Sequence, residues 1–277
     1  MDRTRISALG ALLILAYATP AMAAGAAAAP SLNDVYATLA AKHFVDLTHT
    51  FDGKTLYWPT SPSAFEMKTL FRGTTPAGFF YQANTIAMPE HGGTHLDAPF
   101  HFSEKGQSTE AIDVRRFVAP AVVIDATAAA RKDRDYRLSA EDVKRWESAH
   151  GRIPAGAVVI LRTGWESRWP DRKAYFGDDT PNDATKLHFP SYGKDSAELL
   201  VNERRVGALG VDTPSIDYGP SQDFAVHQVA SAAQVFGLEN LTNLARLPEA
   251  GAWIVALPMK IGGGSGGPLR AVAILPR

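Results

Sequence analysis

Three of the eight histidines in this chain fall within eleven residues, in Pro89-Glu-His-Gly-Gly-Thr-His-Leu-Asp-Ala-Pro-Phe-His-Phe102. Imidazole nitrogens and a carboxylate gathered this closely can hold a divalent ion or move protons. The chain has no cysteine, which excludes disulfides, thiolate zinc sites, iron–sulfur clusters and cysteine nucleophiles. His91, His95 and Asp97 are instead donors suited to zinc, manganese or iron. The i,i+4 spacing of His91 and His95 would share a helix face. Gly92 and Gly93 between them, with Pro89 and Pro99 on either side, argue against a helix. In an extended chain His91, His95, Asp97 and His101 have the same parity and point to one side. A straight strand from His91 to His101 would be roughly 33 Å long, too long for one site. The chain must therefore bend, and Gly92-Gly93 and Pro99 are where bending costs least. The expectation is a bent strand that brings the four side chains around one metal. A hydrogen-bonded polar cluster bridging loops is the alternative.

The elements that position this segment are read from apolar patterning. Short runs rich in β-branched residues predict strands at Phe44–Leu47, Phe80–Met88, Ala121–Asp125, Ala157–Arg162, Val206–Val211, Ala252–Lys260 and Leu269–Leu275. Helices are expected at Ser31–Lys42, Ser139–Ala149, Ser196–Arg205 and Ser221–Ala233, the second opened by a capping box of Ser139 and Asp142. Strands mixed with helices without strict alternation indicate a single α/β or α+β domain with a mixed sheet. With 277 residues the chain can bury a core without staples. The stretch from Trp165 to Tyr192 reads as one long ordered loop, of the kind that often serves function.

A formal net charge of −1 argues against a nucleic-acid partner, and Arg115-Arg116 and Arg204-Arg205 are too few to make a basic patch. The partner expected is a small-molecule substrate. At the N-terminus, Arg3 and Arg5 precede the apolar run Ala8–Ala18, and Ala21-Met22-Ala23 offers a small-x-small cleavage site. Residues 1–23 read as an export signal, too short to span a bilayer comfortably. The expected order is then a leader and N-terminal helix over 24–42 and the folded domain over 43–277. The mature protein is expected to be exported, periplasmic in a Gram-negative source, with no membrane attachment after cleavage. Gly262-Gly-Gly-Ser-Gly-Gly-Pro268 lacks the Lys-Ser/Thr ending of a phosphate loop and reads as a tight turn approaching the site.

His91-Gly-Gly-Thr-His95-Leu-Asp97-Ala-Pro-Phe-His101 resembles the signature H-x-G-T-H-x-D-x-P-x-H of the cyclase-like metal-dependent hydrolases, which include bacterial kynurenine formamidases and isatin hydrolases. Val211-Asp-Thr-Pro-Ser-Ile-Asp-Tyr-Gly219, the pair His227 and Glu239, and Pro258–Pro268 resemble further blocks of that family. The likeness covers residues 43 to 275. It implies a swivelling β/β/α domain, a mixed sheet closed towards a barrel with helices outside, and assembly as a homodimer or homotetramer. It further implies that His91, His95, Asp97 and Glu239 hold one zinc or manganese. Asp97, His227 and Glu239 would hold a second, although some members work with one ion. His101 would be the general acid and base, and Trp58 would line the substrate pocket. The implied reaction is hydrolysis of a carbon–nitrogen bond in an amide, formamide or lactam.

The residues themselves are compatible with these roles. A helix from Ser221 could aim His227 inward, or bury it as a core histidine beside Phe224. Glu239 follows the apolar Val235-Phe-Gly-Leu238, where a carboxylate must be paired or ligated; a helix N-terminal acid is the other reading. Asp212 and Asp217 could orient metal-bound histidines, or serve as caps or turn residues. Other activities stay open: an esterase or lactonase of the same fold, a non-heme iron oxygenase built on His95, Asp97 and His227, or a non-catalytic periplasmic metal-binding protein.

Overall fold

The computed structural model describes residues 29–276. Its strands are β1 (His43–Asp46), β2 (Glu66–Thr74), β3 (Phe80–Ala87), β4 (His95–Asp97), β5 (Val118–Asp125), β6 (Arg137–Leu138), β7 (Val158–Arg162), β8 (Ser191–Tyr192), β9 (Ala208–Val211), β10 (Phe236–Glu239), β11 (Ala252–Pro258) and β12 (Gly266–Leu275). The helices are α1 (Leu32–Ala40), α2 (Thr127–Lys132), α3 (Ala140–His150), α4 (Arg172–Phe176), α5 (Lys194–Glu198) and α6 (Ala225–Ala232). The expected export signal and cleavage site lie outside the described residues. Helix α1 belongs to a separate unit that ends at Ala40. Its start is fixed by reciprocal bonds, Asp34 N–H to Ser31 Oγ and Ser31 N–H to Asp34. No described helix is long and apolar enough to cross a membrane.

In the unit Ala41–Arg277 the main sheet runs β1-β12-β11-β5-β7-β9-β10-β4, and β4 pairs again with β12. That second pairing closes the sheet into a barrel. Strand β12 has ten residues, so one edge has room for β4 at Gly266–Pro268 and for β1 at Val272–Leu275. Strands β5, β7, β9 and β10 run parallel to one another, and the other pairings are antiparallel.

Parallel strands covered on both faces need continuous apolar runs, and the residues of β5 divide accordingly. Ala121 and Val123 face the barrel interior, while Val122 and Ile124 pack under the helices with Val143, Trp146, Ala197 and Val226. The interior is rich in alanine (Ala119, Ala121, Ala208, Ala252, Ala256, Ala271, Ala273) because a small closed ring leaves little room. Helix α3 starts with the expected capping box and is tied to β5 by Trp146 Nε1–H donating to Val123 O at 2.9 Å.

Several local features depart from the sequence reading. Strand β2 went unrecognised because it pairs only with β3 and is exposed almost throughout, so no buried face imposed a period. The 165–192 stretch is not all loop: it contains α4, whose Asp171 cap accepts from Ala174 N–H at 2.9 Å. The third helix begins at Lys194 and passes into a π turn over Leu199–Glu203. The fourth begins at Ala225 rather than Ser221, because Phe224 sits in the left-handed region at φ 49°.

Candidate active site

Strand β4 lies between β10 and β12, and its register sets the site. His95 is opposite Glu239 and Asp97 is opposite Gly237, so one face presents the imidazole beside two carboxylates. The chain before β4 bends as the glycines suggested, with Gly92 at φ 149° and Gly93 at φ 58°. Close packing demands glycine there as well: a Cβ at Gly92 would lie 2.1 Å from the Tyr57 ring. The bend returns His91 to Asp97, with Nδ1 2.6 Å from Oδ1. After β4, Pro99 opens a 3-10 turn that carries His101.

Five of the expected residues converge. His95 Nε2 lies 3.1 Å from Asp97 Oδ1 and 3.6 Å from Glu239 Oε2. His227 Nε2 lies 3.1 Å from Asp97 Oδ2 and 3.3 Å from Glu239 Oε1. His95, Asp97, His227 and Glu239 are all buried, and His91 is partly so. Potential ligand atoms fall into two groups within 4.8 Å, His95–Asp97–Glu239 and His91–Asp97–His101, which share Asp97.

The outer nitrogens of His91, His95 and His227 are committed. His95 Nδ1–H donates to Gly93 O at 3.0 Å, and His227 Nδ1–H to Asp217 Oδ2 at 2.7 Å. Ser265 Oγ–H donates to Glu90 Oε2 at 2.7 Å, so it accepts from His91 Nε2–H at 2.8 Å. In the neutral rings the three inner nitrogens are then lone pairs, aimed at carboxylate lone pairs. Such an arrangement repels itself unless positive charge sits among the groups. A divalent ion fits the donor set, and outer contacts of this kind orient metal-bound histidines.

Protons supply that charge when no ion does. Burial alone would lower the His95 pKa, but Asp97 and then Glu239 lift it to about 9. His227 also rises against burial, through Asp217, Asp97 and Glu239. Burial would raise Asp97, yet His95 and His91 hold it well below the usual carboxylate range. Glu239 is pushed up by burial and then by the Asp97 charge. A histidine whose pKa rises from 6.5 to about 9 stabilises the fold fully below about pH 6.5 and loses that contribution as pH climbs through 9. The metal-free protein is therefore expected to lose thermal stability between about pH 6.5 and 9. Metal affinity should rise over the same range, because ion and protons compete. Melting curves in chelator check this, and a Tm flat or rising across the window would contradict it.

Asp217 both caps and orients: it accepts from the N–H groups of Val226 and His227 at 3.0 Å as well as from the His227 ring. The two readings open for it thus hold together. Asp212 is different. It accepts from Thr163 N–H and Oγ–H and touches no histidine, and burial pushes its pKa to about 6.

His101 stacks on His91 with ring centroids 3.9 Å apart. It is the exposed member of the cluster. Protein packed around the ring, more than any charge, pushes its pKa down to about 4; the ring's open side admits water, which eases that penalty. The pocket above holds about 270 Å³ and is walled by Leu56, Trp58, Phe102, Phe176, Pro214 and Phe224 over the histidines and carboxylates. Trp58 meets Phe176 and Phe189 edge-on at 6.2 and 6.4 Å.

Several participants escaped the sequence reading. Phe176 and Phe224 come from segments whose pocket-facing side shows only in the fold. Ile216 N–H donates to Glu239 Oε1 at 2.9 Å, a backbone contact with no sequence signature. Ser265 carries the one hydroxyl in the Gly262–Pro268 turn, a signal that could have marked it. That turn approaches the site as expected. A Cβ at Gly266 would lie 2.5 Å from His91 Cε1 and 2.6 Å from Leu96 O. Gly266→Ala is therefore expected to cost about 1–3 kcal/mol of stability and to weaken metal binding by displacing His91. Denaturant melts and metal titration of the variant check both effects.

The sequence pattern of the Cyclase family matches residues 45–218. Isatin hydrolase of Roseibium aggregatum is 37% identical over 208 residues, 72% of this chain and 77% of that protein. Kynurenine formamidase of Salinibacter ruber is 26% identical over 228 residues, 82% of this chain and 95% of that protein. Among solved structures, isatin hydrolase A from Ralstonia solanacearum matches with a TM-score of 0.81 at 36% identity, over 91% of this chain and 100% of that one. Isatin hydrolase A from Labrenzia aggregata bound to benzyl benzoate gives 0.82 at 33% identity, over 90% and 100%. With the barrel, the motif segment and the converging histidines and carboxylates in agreement, the chain belongs to the Cyclase family of metal-dependent hydrolases.

Proposed function

We propose that this protein hydrolyses a carbon–nitrogen bond in an amide, formamide or lactam attached to a flat aromatic ring. His91, His95, Asp97, His227 and Glu239 would hold one or two divalent ions, zinc or manganese. The observation that carries the reading is the inward aim of three histidine nitrogens at shared carboxylates, directly beneath an aromatic-walled pocket. The similarity to isatin hydrolases and kynurenine formamidases supports hydrolysis over oxygenation. A two-histidine, one-carboxylate iron site would also leave His91 and Glu239 surplus.

When bound, the ion supplies water activation near neutral pH and polarisation of a carbonyl. The chain supplies the rest. His101 is open to the pocket, and among the described residues no hydrogen bond holds its ring, so it is free to act on substrate and water. It takes a proton from the attacking water and returns it to the leaving nitrogen. Asp217, Gly93 and Ser265 keep the other three rings from turning. Trp58 stacks on or edges the substrate ring. Trp58→Ala is expected to raise KM about 2–10-fold with little change in kcat, the signature of lost uniform binding. An unchanged KM would remove Trp58 from the pocket's binding role.

The test is hydrolysis of isatin and N-formylkynurenine side by side, with protein loaded with zinc or with manganese. Turnover of either supports the reaction class. Turnover of neither, with metal bound, discards both substrates and moves the search to esters and lactones.

We also propose that residues 1–23 are a cleaved export signal, which in a Gram-negative source would send the protein to the periplasm. N-terminal sequencing of expressed protein checks this: Ala24 as first residue is expected. Assembly as a homodimer or homotetramer would cover the exposed apolar side chains of the β2–β3 hairpin, Met67, Leu70, Phe71, Phe80 and Ile86. A monomer by sedimentation would contradict it.

A further inference from the structure

We propose that Tyr175, acting through Asn240, is a positioning residue that holds His95 and Glu239 at the spacing a metal ion requires; this rests on the metal-centre reading above. Asn240 follows Glu239 and stands in the left-handed region at φ 55°. Four bonds fix it there. Its N–H donates to Thr213 O at 3.0 Å, and its carbonyl accepts from Thr94 Oγ–H at 2.7 Å. Its Nδ2–H donates to Gly93 O at 2.8 Å, the same carbonyl that takes His95 Nδ1–H. Its Oδ1 accepts from the Tyr175 hydroxyl at 2.9 Å. Asn240 thus clasps the segment carrying His95 to the strand carrying Glu239.

Gly93 O and the Tyr175 hydroxyl together set which way that amide faces. Gly93 O can only accept, so the amide nitrogen must face it and the amide oxygen must face Tyr175. Tyr175 is fully buried, and its other near neighbour, Asp212 O at 3.1 Å, is also an acceptor. Without the hydroxyl, Oδ1 becomes a buried acceptor with no donor, which is costly. The Nδ2–H bond to Gly93 O then holds the amide alone, and the side chain can swing about that one contact. The loosened clasp reaches His95 through Gly93 and Glu239 through the backbone. Tyr175 also precedes Phe176, which walls the pocket. The segment that shapes the substrate cavity therefore also braces the metal ligands.

The experiment compares Zn²⁺ affinity of the full chain, by competition with a chromophoric chelator, for wild type, Tyr175→Phe, Asn240→Ala and the double variant. Tyr175→Phe is expected to weaken Zn²⁺ roughly tenfold, the lower end for outer partners of metal ligands. It should also shift the visible spectrum of the Co²⁺-loaded protein. The double variant should be no weaker than Asn240→Ala alone, since both act through one path. Trp165→Phe is the structural control. It removes the Trp165 Nε1–H bond to Tyr175 O at 2.7 Å, within the same aromatic cluster. That variant should lower Tm and leave Zn²⁺ affinity unchanged. Should Tyr175→Phe not fold, Asn240→Ser, which cannot span both partners, carries the same expectation. Wild-type affinity in Tyr175→Phe, or an equal loss in Trp165→Phe, overturns the positioning role alone. Failure of the wild type to bind Zn²⁺ overturns the metal centre itself.

Discussion

Asp97→Asn is expected to abolish divalent-ion binding and reduce hydrolysis to the buffer rate. Asp97 is the one residue common to both ligand groups. Its Oδ1 serves His91 and His95, and its Oδ2 serves His227. Asparagine keeps the shape but removes the charge, and its NH₂ can satisfy only one side of that arrangement. The buried histidines then lack the carboxylate that holds their charge, and removing one partner from a buried charge set costs about 3–5 kcal/mol. The metal-free variant should therefore melt lower than the metal-free wild type. Its stability should also change less across pH 6.5–9, because His95 is no longer lifted by Asp97. Metal content after dialysis, with the two melting series, checks the expectation. A variant that keeps a full complement of ion would show that Asp97 is not a ligand.

His101→Ala separates chemistry from binding. The ring is open to the pocket and stacks on His91 without hydrogen bonds to the protein among the described residues, so its loss leaves the buried histidines and carboxylates in place. Metal content is expected to stay at the wild-type level, while kcat falls by roughly 10²–10⁴, the range for a lost general acid–base. Loss of metal together with activity would make His101 a ligand instead. Unchanged kcat would leave it with no catalytic part.

Residue type and parity made much of this site legible before the fold was seen. His95 and Asp97 share a strand face because β structure has a period of two; length required a bend, and Gly92-Gly93 and Pro99 marked where it costs least. Glu239 could be suspected because a carboxylate after four apolar residues needs a partner, and the β4–β10 register supplies His95 opposite it. The barrel strands β5, β7 and β9 were legible because burial on both faces gives each a continuous apolar run. Strand β2 was not, since an exposed ribbon has no face to mark. Tyr175 and Asn240 were equally silent. Their role depends on a meeting of residues 65 positions apart, and a buried hydroxyl or amide carries no pattern of its own. The capping of α6 was silent for a similar reason: Asp217, ten residues upstream of His227, accepts from its first N–H groups.

The most direct measurement is a metal titration of chelator-stripped protein, following ion bound per chain and hydrolysis of whichever of isatin or N-formylkynurenine it turns over. Activity should be absent in the stripped protein, rise in step with bound zinc or manganese, and level off at one or two ions per chain. Full activity in stripped protein shown to contain no ion would contradict the account at its centre.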